Sequence, residues 1–224
     1  METFPSKSTA LLVIDLQDEN LSDGVWPVAG YQDVLKNAAT AINSCRKAGI
    51  QVIYSRHWLD PKGWNAMKYE PVDNNGCPVH SVAGSPNSAF CDEVTPNGND
   101  IVIDKQRFTA FYNTSMDLTL SKLGADHLII LGVWTEACLE TTVWDALWRD
   151  YRITLVKDAC GSATDAMHKV AILDMANWLY GGNIITADEL EKALDGQPHK
   201  IWNFTTANSY PYSLDNVEEL YNSI

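Results

Sequence analysis

Apolar residues along this chain fall in short continuous runs separated by longer amphipathic stretches. Thr9 to Leu16 (TALLVIDL) is an apolar run with one acid near its end, which suits a strand buried on both faces of a parallel sheet. Tyr31 to Ala48 has helical spacing, with Val34, Ala38, Ala41 and Ile42 on one stripe, and Gly49 stops it. Further strands are predicted at Gln51–Ser55, Asp100–Asp104, His127–Val133, Ile153–Val156 and Asn183–Ile185. Helices are predicted at Ser115–Leu123, Glu136–Tyr151, Thr164–Leu179 and Ala187–Leu194. Strands alternating with helices indicate an α/β fold, a three-layer doubly wound parallel sheet of about six strands with helices on both faces.

Two stretches escape this pattern. Residues 57–100 are rich in Pro, Gly, Asn and Trp; a connection this long in a compact domain is either functional or disordered, and its aromatic content favours order. From Gly196 onward the chain is aromatic and polar without periodicity. The expected organisation is one domain over residues 1–195 and a C-terminal extension, 196–224, packing on it or on a neighbouring subunit.

Composition narrows the function classes. The 224 residues carry 29 acidic against 16 basic side chains, a net charge of −13, which leaves no basic footprint for nucleic acid. No run of 18 apolar residues exists to span a bilayer. Residues 1–8 lack the basic and apolar regions of a secretory signal, so a cytoplasmic location is expected. The five cysteines are odd in number and scattered, with no CxxC pair, which speaks against a disulfide framework or zinc ribbon. No GxGxxG or P-loop implies a nucleotide, and no cofactor is expected.

Ligands of doubly wound sheets bind beyond the carboxyl ends of the strands. Asp15 closes the first predicted strand, Lys105 follows the third, and Cys138 lies just after the fourth in the first turn of a helix. A thiol at a helix N-terminus meets the positive end of the dipole, which favours thiolate; a buried packing cysteine is the other reading. Asp15 suits a general base or a simple cap. Lys105 taken alone suits a solvated lysine. Their common edge strengthens the chemical reading of all three.

The segments LLVIDLQDEN, VIDKQRFTAFYNT and LGVWTEACLETT, with Asp15, Lys105 and Cys138, together resemble the isochorismatase-like cysteine hydrolases over roughly residues 8–194. That superfamily includes nicotinamidases, N-carbamoylsarcosine amidases, biuret hydrolases and ureidoacrylate amidohydrolases. The resemblance implies a catalytic triad of Cys138, Asp15 and Lys105. It also implies a non-proline cis peptide at Val133–Trp134 and an oxyanion hole from the backbone N–H groups of Trp134 and Cys138. The implied activity is cleavage of a C–N bond in a small amide, carbamoyl or ureido compound through a Cys138 thioester, with release of ammonia. Alternatives are a vinyl-ether hydrolase using Asp15 and a non-catalytic interaction module. A homo-oligomer, dimer or tetramer, is expected from the resemblance.

Candidate substrate contacts are Gln17, Trp26, Trp58, Trp64, Asn65, Arg107, Phe111 and Trp134, with Arg107 an attractive partner for a carboxylate. Nicotinamidases carry an Asp-x-His metal motif after the second strand. Here the matching segment is SRHWLDP, with His57 at the aspartate position and Leu59 at the histidine position. With that pattern broken, no metal is expected.

Overall fold

The computed structural model describes residues 4–224. Seven strands form one sheet: β1 (Thr9–Ile14), β2 (Gln51–His57), β3 (Ile101–Lys105), β4 (His127–Val133), β5 (Arg152–Gly161), β6 (Asn183–Ile185) and β7 (Trp202–Asn203). Their order is β3-β2-β1-β4-β5-β6-β7. All neighbours pair in parallel except β7, which runs antiparallel to β6. The helices are α1 (Tyr31–Lys47), α2 (Met116–Leu123), α3 (Glu140–Leu147), α4 (Asp165–Trp178), α5 (Ala187–Leu194) and α6 (Val217–Asn222). The doubly wound α/β fold thus stands, with one strand more than expected.

The centre of the sheet explains its apolar runs. Every residue of β1 and of β4 is buried, so side chains pointing to either face meet a covering layer rather than water. Chain progression moves from β1 outward to β3 on one side and from β4 outward to β6 on the other. The reversal falls between β1 and β4, which opens a crevice at their carboxyl ends.

Three elements differ from the sequence pattern for physical reasons. β5 runs on to Gly161, past Lys157 and Asp158, whose charges interrupt the apolar run. Lys157 Nζ donates to the carbonyls of Tyr221 and Ile224, and the Asp158 carboxylate accepts the Ala187 N–H at the start of α5; partners from other elements make both charges tolerable inside the sheet. The single helix expected at Glu136–Tyr151 is a π-helical turn, Thr135–Leu139, leading into α3. The tail supplies β7 and α6, and Tyr221 of α6 bonds His168 of α4.

Gly132 is a steric requirement. Its φ is +127°, and a Cβ there would lie 2.1 Å from the Ile14 carbonyl oxygen. The β4–β5 register shifts between Ile130 and Gly132, which carries the β4 terminus toward β1. The substitution Gly132→Ala is therefore expected to destabilise the fold by at least about 3 kcal/mol, read as a lowered midpoint in urea unfolding.

Candidate active site

Asp15 is the residue that follows β1, and its backbone turns sharply there, with φ +51°. Aspartate tolerates this left-handed region better than most residues. The turn is held from several sides. The Asp15 N–H donates to the Ser55 carbonyl at 3.1 Å, the Ser55 hydroxyl donates to Asp15 Oδ1 at 3.0 Å, and Asn20 donates to the Asp15 carbonyl at 3.1 Å.

Lys105 ends β3 and is wholly buried. Its Nζ lies 2.6 Å from Asp15 Oδ2 and donates to the Arg107 carbonyl at 3.0 Å. A lysine taken out of water loses its hydration, so only these partners keep its charge in place. Burial acts to lower the Lys105 pKa, but the Asp15 charge together with Cys138 and the hydrogen bonds outweighs it, and the pKa is raised.

Cys138 sits in the π-turn after β4, and its thiol lies within electrostatic reach of both Asp15 and Lys105. Three residues more than 30 positions apart thereby meet across β1, β3 and β4. The turn carrying Cys138 is pinned from behind. Thr142 donates to the Cys138 carbonyl at 2.6 Å, and the Thr135 hydroxyl donates to the Gly161 carbonyl at 2.9 Å. The peptide Val133–Trp134 is cis. The indole N–H of Trp134 donates to Asn20 Oδ1 at 2.9 Å, so one asparagine ties the ends of β1 and β4 together.

The start of a helix favours thiolate, but burial acts the other way. Burial pushes the Cys138 thiol up to about 12, with the adjacent Asp15 carboxylate adding to the shift and Lys105 opposing it. A thiolate beside a carboxylate in a desolvated pocket is disfavoured. Burial and the neighbouring carboxylate thus both favour the neutral thiol beside the Lys105–Asp15 pair.

A cavity of about 420 Å³ opens over the sulfur. Its apolar wall includes Trp26, Trp134, Met67, Tyr69 and Phe108, with Trp26 edge-on to Trp134. A polar part of the lining is absent from the candidate contacts the sequence offered. There Glu19 accepts both the N–H and the hydroxyl of Ser81, each at 2.6 Å. Ser81 Oγ also meets Nδ1 of His57 at 3.0 Å and Nδ1 of His80 at 3.1 Å. His80 Nε2 lies 3.0 Å from Glu70 Oε1. Burial raises the pKa of Glu19, partly offset by its Ser81 hydrogen bonds. Burial, with Lys105 and His80 nearby, pushes His57 down to about 2, so its ring is neutral. Glu19, in LQDEN shortly after β1, and His57, at the end of β2 in the segment matching the metal motif, carried a positional signal in the sequence; Glu70, His80 and Ser81 come from the irregular loop.

Of the sequence candidates for substrate contact, Trp26 and Trp134 line this cavity and the others do not. Gln17 is fully buried and bonds both backbone groups of His57 and the Ser88 carbonyl. Trp58 lies under the Arg56 guanidinium, 3.6 Å from its ring centroid. Trp64 is 82% exposed. Asn65 accepts the Asp60 N–H. Arg107 is turned to the Asn65 and Gln106 carbonyls, and Phe111 is buried beneath Arg149.

The donor set does not fit a catalytic metal. Leu59 occupies the position of the motif's histidine, both nitrogens of His80 are engaged, and His57 Nδ1 is committed to Ser81.

An isochorismatase domain model matches residues 9–189. The chain belongs to the isochorismatase family. Within this family it is 31% identical to ureidoacrylate amidohydrolase RutB of Yersinia enterocolitica, covering 77% of this chain and 84% of that protein. It is 33% identical to a probable inactive nicotinamidase of Arabidopsis thaliana, covering 76% and 89%. Among solved structures, N-carbamoylsarcosine amidase from Thermoplasma acidophilum aligns with a TM-score of 0.68 at 27% identity, covering 81% of this chain and 98% of that one. An isochorismatase family protein from Desulfovibrio vulgaris aligns with a TM-score of 0.77 at 26% identity, covering 84% and 98%. Among the described residues no helix is long and apolar enough to cross a membrane.

Two outcomes follow from this electrostatic arrangement. Alkylation of Cys138 by iodoacetamide, followed by mass spectrometry, is expected to keep accelerating as pH rises from about 7 to about 10, with no plateau near neutrality. The substitution Lys105→Met leaves the Asp15 carboxylate buried and unpaired, and is expected to cost about 3 kcal/mol or more of unfolding free energy.

Proposed function

We propose that this protein is a cysteine-dependent amidohydrolase that cleaves a carbon–nitrogen bond, other than a peptide bond, in a small amide, carbamoyl or ureido compound and releases ammonia. The observation that carries the reading is the buried Asp15–Lys105 ion pair beside the Cys138 thiol, with Asp15 and Cys138 lining one cavity. The named activities of the relatives, on ureidoacrylate and on N-carbamoylsarcosine, support it.

The neutral resting thiol sets the first step. As the sulfur attacks the carbonyl carbon, its proton passes to Asp15, so charge moves from carboxylate to oxyanion without a free thiolate accumulating. The backbone N–H groups of Trp134 and Cys138 are assigned to the oxyanion, each worth about 3 kcal/mol in such roles. The C–N bond then breaks as Asp15 returns the proton to the leaving nitrogen, and ammonia departs. Water adds to the thioester, giving its proton to Asp15. The S–C bond breaks, and the sulfur recovers that proton. Lys105 stays protonated throughout and holds Asp15 ionised between proton transfers.

Cys138→Ala is expected to lower ammonia release by at least about 1,000-fold on any accepted amide, with the thermal midpoint little changed. Asp15→Asn, which keeps the shape but cannot take the proton, is expected to fall by a similar factor. Undiminished turnover in Cys138→Ala would refute the mechanism.

A further inference from the structure

The reaction leaves the polar wall of the cavity without a role. Glu19, Glu70, His57, His80 and Ser81 form one hydrogen-bonded array facing the nucleophile, and buried arrays of this kind are costly to maintain.

Its charge has a direction. Three carboxylates, Asp15, Glu19 and Glu70, line the cavity, and among the described lining residues there is no arginine or lysine. The Lys105 charge is matched by Asp15. His57 is held neutral, so Glu19 and Glu70 share at most one positive charge, that of His80, and the lining keeps a negative excess. Arg107, the side chain that sequence suggested for a substrate carboxylate, is occupied by two backbone carbonyls. His57 is 94% buried at the cavity wall, as its 6% exposure shows. Its Nε2 makes no hydrogen bond of normal geometry, although the Gln106 carbonyl lies within reach of the ring.

We propose that this wall makes the cavity selective for amide or carbamoyl substrates that carry no carboxylate, with Glu70 as a specificity-determining residue. The inference rests on the amidohydrolase reading and sharpens it. A substrate carboxylate entering this space loses its hydration, meets like charges in a desolvated cavity and finds no fork of donors to replace water. A neutral substrate meets carboxylate and imidazole groups able to accept its N–H bonds, and the indole faces of Trp26 and Trp134 on the other side. A diamide would therefore be cut once: hydrolysis at one end leaves an amic acid, whose new carboxylate the cavity rejects on rebinding.

Matched pairs test this, because each differs in charge and hardly in shape: succinamide against succinamate, terephthalamide against 4-carbamoylbenzoate, and N-carbamoylglycinamide against N-carbamoylglycine. The neutral member of each pair is expected to have the higher kcat/KM by about tenfold or more. Succinamide should release one equivalent of ammonia and stop. The preference should shrink between about 20 and about 500 mM sodium chloride, since screening weakens charge repulsion and leaves shape unaffected. It should also shrink in Glu70→Gln, which keeps an oxygen acceptor for His80. A faster acid member, or a preference that neither salt nor E70Q moves, overturns the proposal.

Equilibrium binding of the same pairs to the Cys138→Ala variant, measured by calorimetry, separates the two levels of inference. Tighter binding of the neutral members with no turnover by the wild-type enzyme would sink the hydrolase reading and leave the selectivity standing. Tighter binding of the acids, or binding of neither member, overturns the selectivity.

Discussion

A lysine with no exposure to water and an aspartate 2.6 Å away organise this molecule. Neither charge is stable alone at that depth, and each is held by groups from several strands: Ser55 from β2 on the aspartate and the Arg107 carbonyl beyond β3 on the lysine. A buried ion pair is a poor source of net stability, because desolvation offsets much of its attraction. Its value here is chemical. In the proposed mechanism the carboxylate of this pair takes the proton of an equally buried thiol at the moment of attack.

The fold supplies that arrangement through its topology. Parallel strands bring their carboxyl ends to one edge, and the reversal between β1 and β4 leaves room there for a cavity. The left-handed turn at Asp15 aims a carboxylate back across the strand ends, and Gly132 allows the β4 terminus to come within backbone contact of β1. Asn20, bonded to the Asp15 carbonyl and to the Trp134 indole, locks the two halves of the edge together. The threonines behind Cys138 do the same for the nucleophile's turn. Such support from neighbouring groups is what holds reacting atoms to a productive geometry.

The long connection between β2 and β3 has a different part. It forms only short 3-10 turns, Pro86–Ser88 and Asp92–Val94, yet it is anchored by bridges from Leu59 to Val82 and from Gln17 to Phe90. The proposed reaction machinery lies at the strand ends, while Glu70, His80 and Ser81 of the cavity lining lie on this loop. A scaffold divided in this way can change what it accepts while keeping what it does.

The apolar runs by themselves determined the α/β class and the central strands, because residues buried on both faces of a parallel sheet leave an uninterrupted hydrophobic signature. Strand-end placement put Asp15, Lys105 and Cys138 on one edge, since such positions are local in sequence, and the resemblance of LLVIDLQDEN, VIDKQRFTAFYNT and LGVWTEACLETT to a known family implied their roles. The extension of β5 through Lys157 and Asp158 was hidden, because their partners lie on α5 and in the C-terminal tail. Much of the cavity wall was equally hidden: whether Glu70, His80 or Trp64 faces the sulfur depends on how an irregular loop folds back, and no periodicity encodes that. The protonation of Cys138 also belonged to the tertiary structure alone, because local position at a helix start favours thiolate, whereas burial beside Asp15 reverses the sign.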